Sequence, residues 1–251
     1  TDVALAEARL ASARASFAAA EGDLAKAIAE YQAAVGRKPG NLITPAGFPD
    51  LPDNVDNAID QAREHHPALK RIQHLIAAAE LNVKKAKRAN RFDVRGSANL
   101  TDTHSTTDLK RDFSIIIGGP IYSGGAMASA TRGKMAKRDA MRAELHFTSL
   151  DIEQGVRNAF VQLDVARASG EATDRQIEAA SVAFRGVREE AALGARTTLD
   201  VLNAEQELLD ARVTRISTSI DEQTAAYEVL ASMGKLTAQS LNLGVKTYDP
   251  D

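Results

Sequence analysis

Apolar and small residues recur at Val3, Ala6, Leu10, Ala13, Phe17, Ala20, Leu24, Ala27 and Tyr31, in steps that alternate between three and four. That rhythm is the heptad stripe of helices packed nearly parallel to their neighbours, and it predicts one helix ending at Gly36. Pro39, Pro45, Pro49 and Pro52 then keep residues 37–52 out of helix. Asp53 or Asn54 is placed to cap a short helix through His65, and Pro67 to open another that runs to about Asn90. From Ala126 to Leu193 there is no proline, and Ile152, Val156, Ala159, Leu163, Ala166, Gly170, Thr173, Ile177, Ala180, Phe184, Val187 and Ala191 keep the same rhythm. A single helix about 100 Å long follows from the α-helical rise. Residues 67–90 and 199–234 would span about 36 and 54 Å, so stacked end to end they nearly match it, and the three predict a rod. The last helix has its own stripe at Leu209, Val213, Ile216, Ile220, Tyr227 and Leu230, interrupted by Gln223. Such a rod cannot bury both sides alone, so it calls for sibling rods from symmetric subunits or a duplicated half.

Residues 92–122 change period. Val94, Gly96, Ala98 and Leu100 alternate with Asp93, Arg95, Ser97 and Asn99; after a polar turn, Leu109, Arg111, Phe113, Ile115 and Ile117 alternate with Lys110, Asp112, Ser114 and Ile116. This predicts a β-hairpin with one small or apolar face. Strands of roughly 9–11 residues are long enough to cross a bilayer when tilted. Pro120-Ile121-Tyr122-Ser123-Gly124-Gly125 ends the sheet, with Tyr122 where an interfacial aromatic would sit.

The helix patterns are also repeated. Asp2-Val3-x-x-Ala6-Glu7-x-x-Leu10 returns as Asp200-Val201-x-x-Ala204-Glu205-x-x-Leu208, and the same offset continues without a gap to Gly36 and Gly234. A repeat this long is a duplicated module rather than a solenoid unit. The first copy begins at Thr1, whereas a long helix precedes the second, so the chain reads as a fragment running from within the first repeat to the end of the second.

Composition agrees with long helices: 251 residues hold no Trp and only 7 Pro, with Ala, Glu, Arg, Leu and Lys prominent. A formal charge of -3 argues against a general nucleic-acid-binding surface. The absence of cysteine excludes disulfides, thiolate metal sites and thiol catalysis. No run of about 20 apolar residues is present to form a transmembrane helix.

Taken together, the strand pair, Pro120-Ile121-Tyr122-Ser123-Gly124-Gly125, the very long helix, Gly194-Ala195-Arg196-Thr197-Thr198-Leu199-Asp200-Val201-Leu202 and the duplicated Thr1-Asp2-Val3 start resemble the TolC family of outer-membrane channel proteins. The resemblance covers essentially the whole chain. It implies a mainly α fold in which long antiparallel coiled helices belong to an α-barrel and one β-hairpin contributes to a transmembrane β-barrel. It also implies a homotrimer in the outer membrane of a Gram-negative bacterium, with most of this chain in the periplasm. Such a channel works with a periplasmic adaptor (membrane fusion) protein and an inner-membrane ABC or RND-type transporter, and exports proteins or small toxic compounds. The Pro120–Gly125 motif leans toward the branch serving type I secretion and multidrug efflux. On this basis residues 1–36 form a first-repeat periplasmic helix and 37–66 a linker with a short equatorial helix. Residues 67–91 and 126–234 form the α-barrel helices of the second repeat, 92–125 the barrel hairpin, and 235–251 a C-terminal tail.

In that family an acidic ring at the periplasmic entrance selects cations and helps hold the channel shut, while an Arg and a Tyr on neighbouring turns tie the helices together. Here Arg196 and Asp200 match the motif, and Asp2 is the first-copy counterpart of Asp200. The second acidic position is occupied by Asn203 and the tyrosine position falls on Ala191. Losing half the acids predicts a shallower cation preference and a closed state with fewer constraints. Independently of the family, Thr197-x-x-Asp200 reads as a capping box at a helix start, and one residue can serve both purposes.

A second constellation is basic. Lys84, Lys85, Lys87, Arg88 and Arg91 precede the hairpin, and Arg132, Lys134, Lys137 and Arg138 follow it. Together with Tyr122 they read as a positive collar against outer-membrane lipid headgroups. Preference of cations for a helix C-terminus explains residues 84–91 equally well, but not 132–138. His65, His66, His74, His104 and His146 have no metal-site spacing, and Gly118-Gly119 and Gly124-Gly125 lack the Lys-Ser/Thr of a phosphate loop. Nothing reads as catalytic, and no metal or cofactor is expected. Two alternatives remain: a periplasmic coiled-coil adaptor, which would also need a lipoyl-like β domain, and a coiled-coil scaffold, which would need no bilayer-length hairpin.

Overall fold

A computed structural model describes residues 2–43, 47–89, 91–101 and 110–245, apart from the side chains of residues 2, 5 and 110. The elements are α1 (Asp2–Val35), α2 (Val55–His65), α3 (Pro67–Arg88), β1 (Asp93–Thr101), β2 (Lys110–Gly118), α4 (Ala126–Ala192) and α5 (Thr198–Ser232). The chain divides into two compact units, Thr1–Asp50 with Asp164–Ala226, and Leu51–Leu163 with Tyr227–Asp251. None of the described helices is long and apolar enough to cross a membrane.

In the unit built on residues 51–163, the short helices are set by their caps. Asn54 Oδ1 accepts the Asn57 N–H at 2.8 Å to start α2, and Pro67 occupies the first turn of α3 while His66 Nδ1 accepts the Ala68 N–H at 3.2 Å. Partial burial lowers the His66 pKa, which keeps the imidazole in the neutral form that can accept this bond. Ala58, Ile59 and Ala62 of α2, Leu69, Ile72 and Val83 of α3, Ile152, Val156 and Leu163 of α4, and Val229, Leu230 and Met233 near the chain's end supply the buried apolar side chains. Charge pairs flank them: Arg63 with Glu153 at 2.6 Å, Arg142 with Glu80 at 2.7 Å and Arg157 with Asp56 at 3.7 Å. Lys235 donates to Gln61, and Gly234, at φ 71°, turns the chain where a Cβ would lie 2.5 Å from Pro67 Cδ.

In the unit built on residues 1–50 and 164–226, α5 runs antiparallel to α4. Arg215 pairs with Asp174 at 2.6 Å and Glu222 with Arg167 at 3.7 Å, a register in which one number rises as the other falls. Ala166, Gly170, Thr173 and Ala180 of α4 are buried, as the stripe predicts, and the Thr173 hydroxyl is satisfied by donating to the Ser169 carbonyl at 2.7 Å. On α5 the outcome differs from expectation. Leu209, Val213, Ile216 and Ile220 are exposed, whereas Leu230 of the same stripe is buried together with Leu208, Ala211, Ala225, Ala226 and Val229. Small side chains permit the close approach of two helices, so the seam selects Ala and leaves the bulkier stripe unpartnered within one chain. The α1 stripe is likewise open, with Val3, Leu10, Phe17 and Leu24 all exposed.

The hairpin pairs Asp93 with Gly118 through Thr101 with Lys110, antiparallel and without a bulge. Facing partners share a side of the sheet, so Val94/Ile117, Gly96/Ile115, Ala98/Phe113 and Leu100/Arg111 form one face, apolar except for Arg111 at its turn end. The other face carries Arg95/Ile116, Ser97/Ser114 and Asn99/Asp112, with a 2.7 Å hydroxyl–hydroxyl bond between the serines. The turn expected at Asp102–Asp108, together with Leu109 and His104, lies outside the described residues.

Candidate functional site

Between α4 and α5 the chain reverses through Gly194, whose φ of 78° ends α4 with the Gly194 N–H on Ala191 O at 2.9 Å and the Ala195 N–H on Glu190 O at 2.9 Å. The predicted capping box is formed. Asp200 Oδ2 accepts the Thr197 N–H at 3.0 Å and the Thr197 hydroxyl at 2.9 Å, and the Asp200 N–H donates to Thr197 Oγ1 at 3.2 Å. These bonds favour the ionised form, so the Asp200 pKa is lowered, first by the Thr197 backbone, then by its side chain, with a smaller contribution from the charge of Arg196.

Arg196 acts differently from expectation in its local contacts. Its Nε donates to Glu190 Oε2 at 2.7 Å, across the Gly194 turn, and this bond and charge raise its pKa before any effect of Asp200. At the tyrosine position the half-buried Ala191 can offer no hydroxyl. Asn203 Oδ1 accepts a bond from Arg9 Nη2 on α1. Asp2 is the first residue of α1, and its side chain lies outside the described set. The structure therefore brings Arg196, Thr197 and Asp200 together at one turn and joins Asn203 to α1. Glu190 and Arg9 escaped the sequence reading. An acid six residues before an Arg, across a glycine, is a weak signal for the first; no sequence signal pointed to the second, since the repeat offset matches Arg9 with Glu207 and not with Asn203.

An open groove of about 800 Å3 separates α1 from α5, lined by Ala6, Arg9, Leu10 and Ala13 on one side and Leu202, Glu205, Gln206 and Leu209 on the other. In the other unit, a groove of about 490 Å3 between α3 and α4 is lined by Leu75, Ala78, Ala79, Asn82 and Met141, with Lys134 and Lys137 at its edge. Lys84, Lys85, Lys87 and Arg88 are exposed in the last turns of α3, as are Arg91, Arg132, Lys134 and Lys137. Arg138 is half-buried and engaged by Asp139 at 2.7 Å. Because α4 starts at Ala126, Lys134 and Lys137 stand beyond its first turn, where the helix dipole neither favours nor opposes them. Tyr122 is exposed, four residues past β2.

A model of the family described as outer membrane efflux protein matches residues 58–235, well over half of the chain. The chain belongs to the outer membrane efflux protein family. One relative in this family, Outer membrane efflux protein BepC of Brucella suis biovar 1, is 34% identical over 257 residues, covering 100% of this chain and 56% of that protein. Proteases secretion protein PrtF of Dickeya chrysanthemi is 28% identical over 183 residues, covering 68% of this chain and 40% of that protein. The crystal structure of the open state of the Neisseria gonorrhoeae MtrE outer membrane channel matches with a TM-score of 0.73 at 20% identity, covering 89% of this chain and 53% of that one. The chain thus spans about half the length of the relatives it matches. The family and the fold read from the sequence, TolC-like helices with a barrel hairpin, are both borne out. Nothing in these relatives supports the adaptor or scaffold alternative.

Proposed function

We propose that this chain is part of an outer-membrane channel subunit that exports proteins or small toxic compounds, as a homotrimer coupled to a periplasmic adaptor and an inner-membrane ABC or RND-type transporter. One observation carries the reading: a regular nine-residue hairpin whose apolar face is in register and wholly exposed. In water such a sheet buries nothing; tilted in hydrocarbon, nine residues span roughly 20–25 Å, a bilayer's apolar band. Among the described residues neither edge has a further strand, and lipid tolerates no open edge, so further strands from the rest of the subunit and its copies must close the barrel. The names of the relatives, an efflux protein and a proteases secretion protein, support export while leaving protein and small-molecule cargo both in play.

In this reading residues 1–36, 67–91 and 126–234 line a periplasmic α-barrel, 92–125 belong to the membrane barrel, 37–66 hold an equatorial helix and 235–251 a tail. Asp200, Arg196, Asn203 and Asp2 sit at the periplasmic entrance. The capping box does not compete with this role, since the carboxylate that closes the cap stays ionised. Lys84, Lys85, Lys87, Arg88, Lys134, Lys137 and Tyr122 face the membrane interface, the cations toward anionic headgroups.

Particle mass in detergent tests the assembly: a threefold multiple of the intact subunit is expected, and a monomer sinks the channel reading. For the entrance, Asp200→Ala in the intact trimer lowers the cation-to-anion permeability ratio; an unchanged ratio removes Asp200 from the pore. For the collar, association with anionic vesicles weakens as salt rises, and salt-independent association counts against it.

A further inference from the structure

We propose that Arg9 sets the charge selectivity of the entrance by placing a fixed cation beside the acidic position; this rests on the entrance assignment above. Arg9 Nη2, on α1, donates to Oδ1 of Asn203, on α5. Asn203 follows Asp200 by three residues, which puts both on one face of the helix, about 5 Å apart along its axis. That separation is shorter than a Debye length of about 8 Å, so a charge at one position is felt at the other.

The chemistry of the pair decides its effect. A carboxylate at residue 203 would cancel the guanidinium; a neutral amide accepts its hydrogen bond and leaves the positive charge standing. Of the other ionised groups at the turn, Arg196 is paired with Glu190 at 2.7 Å, while Asp200, bonded to the neutral Thr197, keeps its charge. Each subunit therefore sets the Arg9 cation at the level next to the Asp200 anion, where a second acid at residue 203 would instead add to the repulsion of anions. Glu205 lines the same groove, which is open to solvent that screens its charge. Duplication does not account for the pair, because the residues matching Arg9 and Asn203 at the repeat offset are Glu207 and Leu5.

The test is reversal potential across a salt gradient, measured on the intact channel in planar bilayers for the wild type, Arg9→Gln, Arg9→Lys and Asp200→Ala. Gln keeps a donor for Asn203 Oδ1 and loses only the charge, so Arg9→Gln raises the cation-to-anion permeability ratio about twofold or more. Lys keeps the charge and stays near the wild-type ratio. Arg9→Met supplies a second charge-free side chain, with the same rise expected, should Gln disturb assembly. An unchanged ratio in the charge-free variants, with a lowered ratio in Asp200→Ala, overturns this proposal alone. If Asp200→Ala is also without effect, the entrance assignment falls and this proposal falls with it.

Discussion

Helices α1 and α5 are two copies of one sequence pattern in opposite circumstances. Leu10 is 52% exposed, whereas its counterpart Leu208 is 6% exposed; Val35 is 50% exposed, whereas Met233 is fully buried. Ala13 and Ala27 face solvent while Ala211 and Ala225 do not. The difference lies in what stands alongside. α5 has the antiparallel α4, to which Arg215 and Glu222 tie it, and α1 has an open groove. Local sequence made both helices, but only tertiary packing made one of them part of a core. The lesson is that the α1 stripe is a half-interface, whose energetic value is absent until a partner helix arrives.

The largest effect comes from truncating the matched leucines. Leu208→Ala removes a buried side chain and costs about 2–5 kcal/mol, read as a lower urea midpoint. Leu10→Ala in the isolated chain costs less than about 1 kcal/mol, because the side chain is already wet. In the intact channel the two costs converge; a Leu10→Ala variant that remains neutral there would break the claim that both copies are built for the same kind of seam.

A smaller contrast sits where the copies end. Gly36 and Gly234 both have positive φ, so alanine at either site carries roughly 1–2 kcal/mol of backbone strain. Around Gly36 there is open space, but at Gly234 the added Cβ would meet Pro67 Cδ at 2.5 Å and His66 Cδ2 at 2.9 Å. Gly234→Ala therefore costs about 1–3 kcal/mol more than Gly36→Ala, since the start of α3 must shift. Equal melting-temperature losses for the two variants would show that the second contact relaxes freely.

Much of this was legible in the order of residues. Proline and glycine placed the helix ends, period two gave the hairpin and the two faces of its strands, and Thr197-x-x-Asp200 announced the cap that forms. What misled was size. On α5 the bulkier stripe of Leu209, Val213, Ile216 and Ile220 looked like the core, yet the seam runs through Leu208, Ala211 and Ala225. Two heptad stripes on one helix satisfy the same period, and choosing between them depends on how closely the partner's backbone approaches, which the helix's own sequence does not encode. The same limit hid Arg9 from Asn203 and Glu190 from Arg196, contacts that exist only after the chain has turned.

The smallest stability effect belongs to the cap, where Thr197→Ala removes the hydroxyl that accepts the Asp200 N–H and costs about 1 kcal/mol. Its consequence for pH is sharper. Because Thr197 holds the Asp200 pKa below the ordinary carboxylate range, the stabilisation from this pair is complete above that range and is lost as pH falls through the lowered value. An acid-side loss of cation preference therefore begins at lower pH in the wild type than in Thr197→Ala, whose Asp200 takes up a proton sooner on acidification. Selectivity measured during stepwise acidification checks the order, and coincident curves for wild type and Thr197→Ala would detach the cap from the ionisation of Asp200.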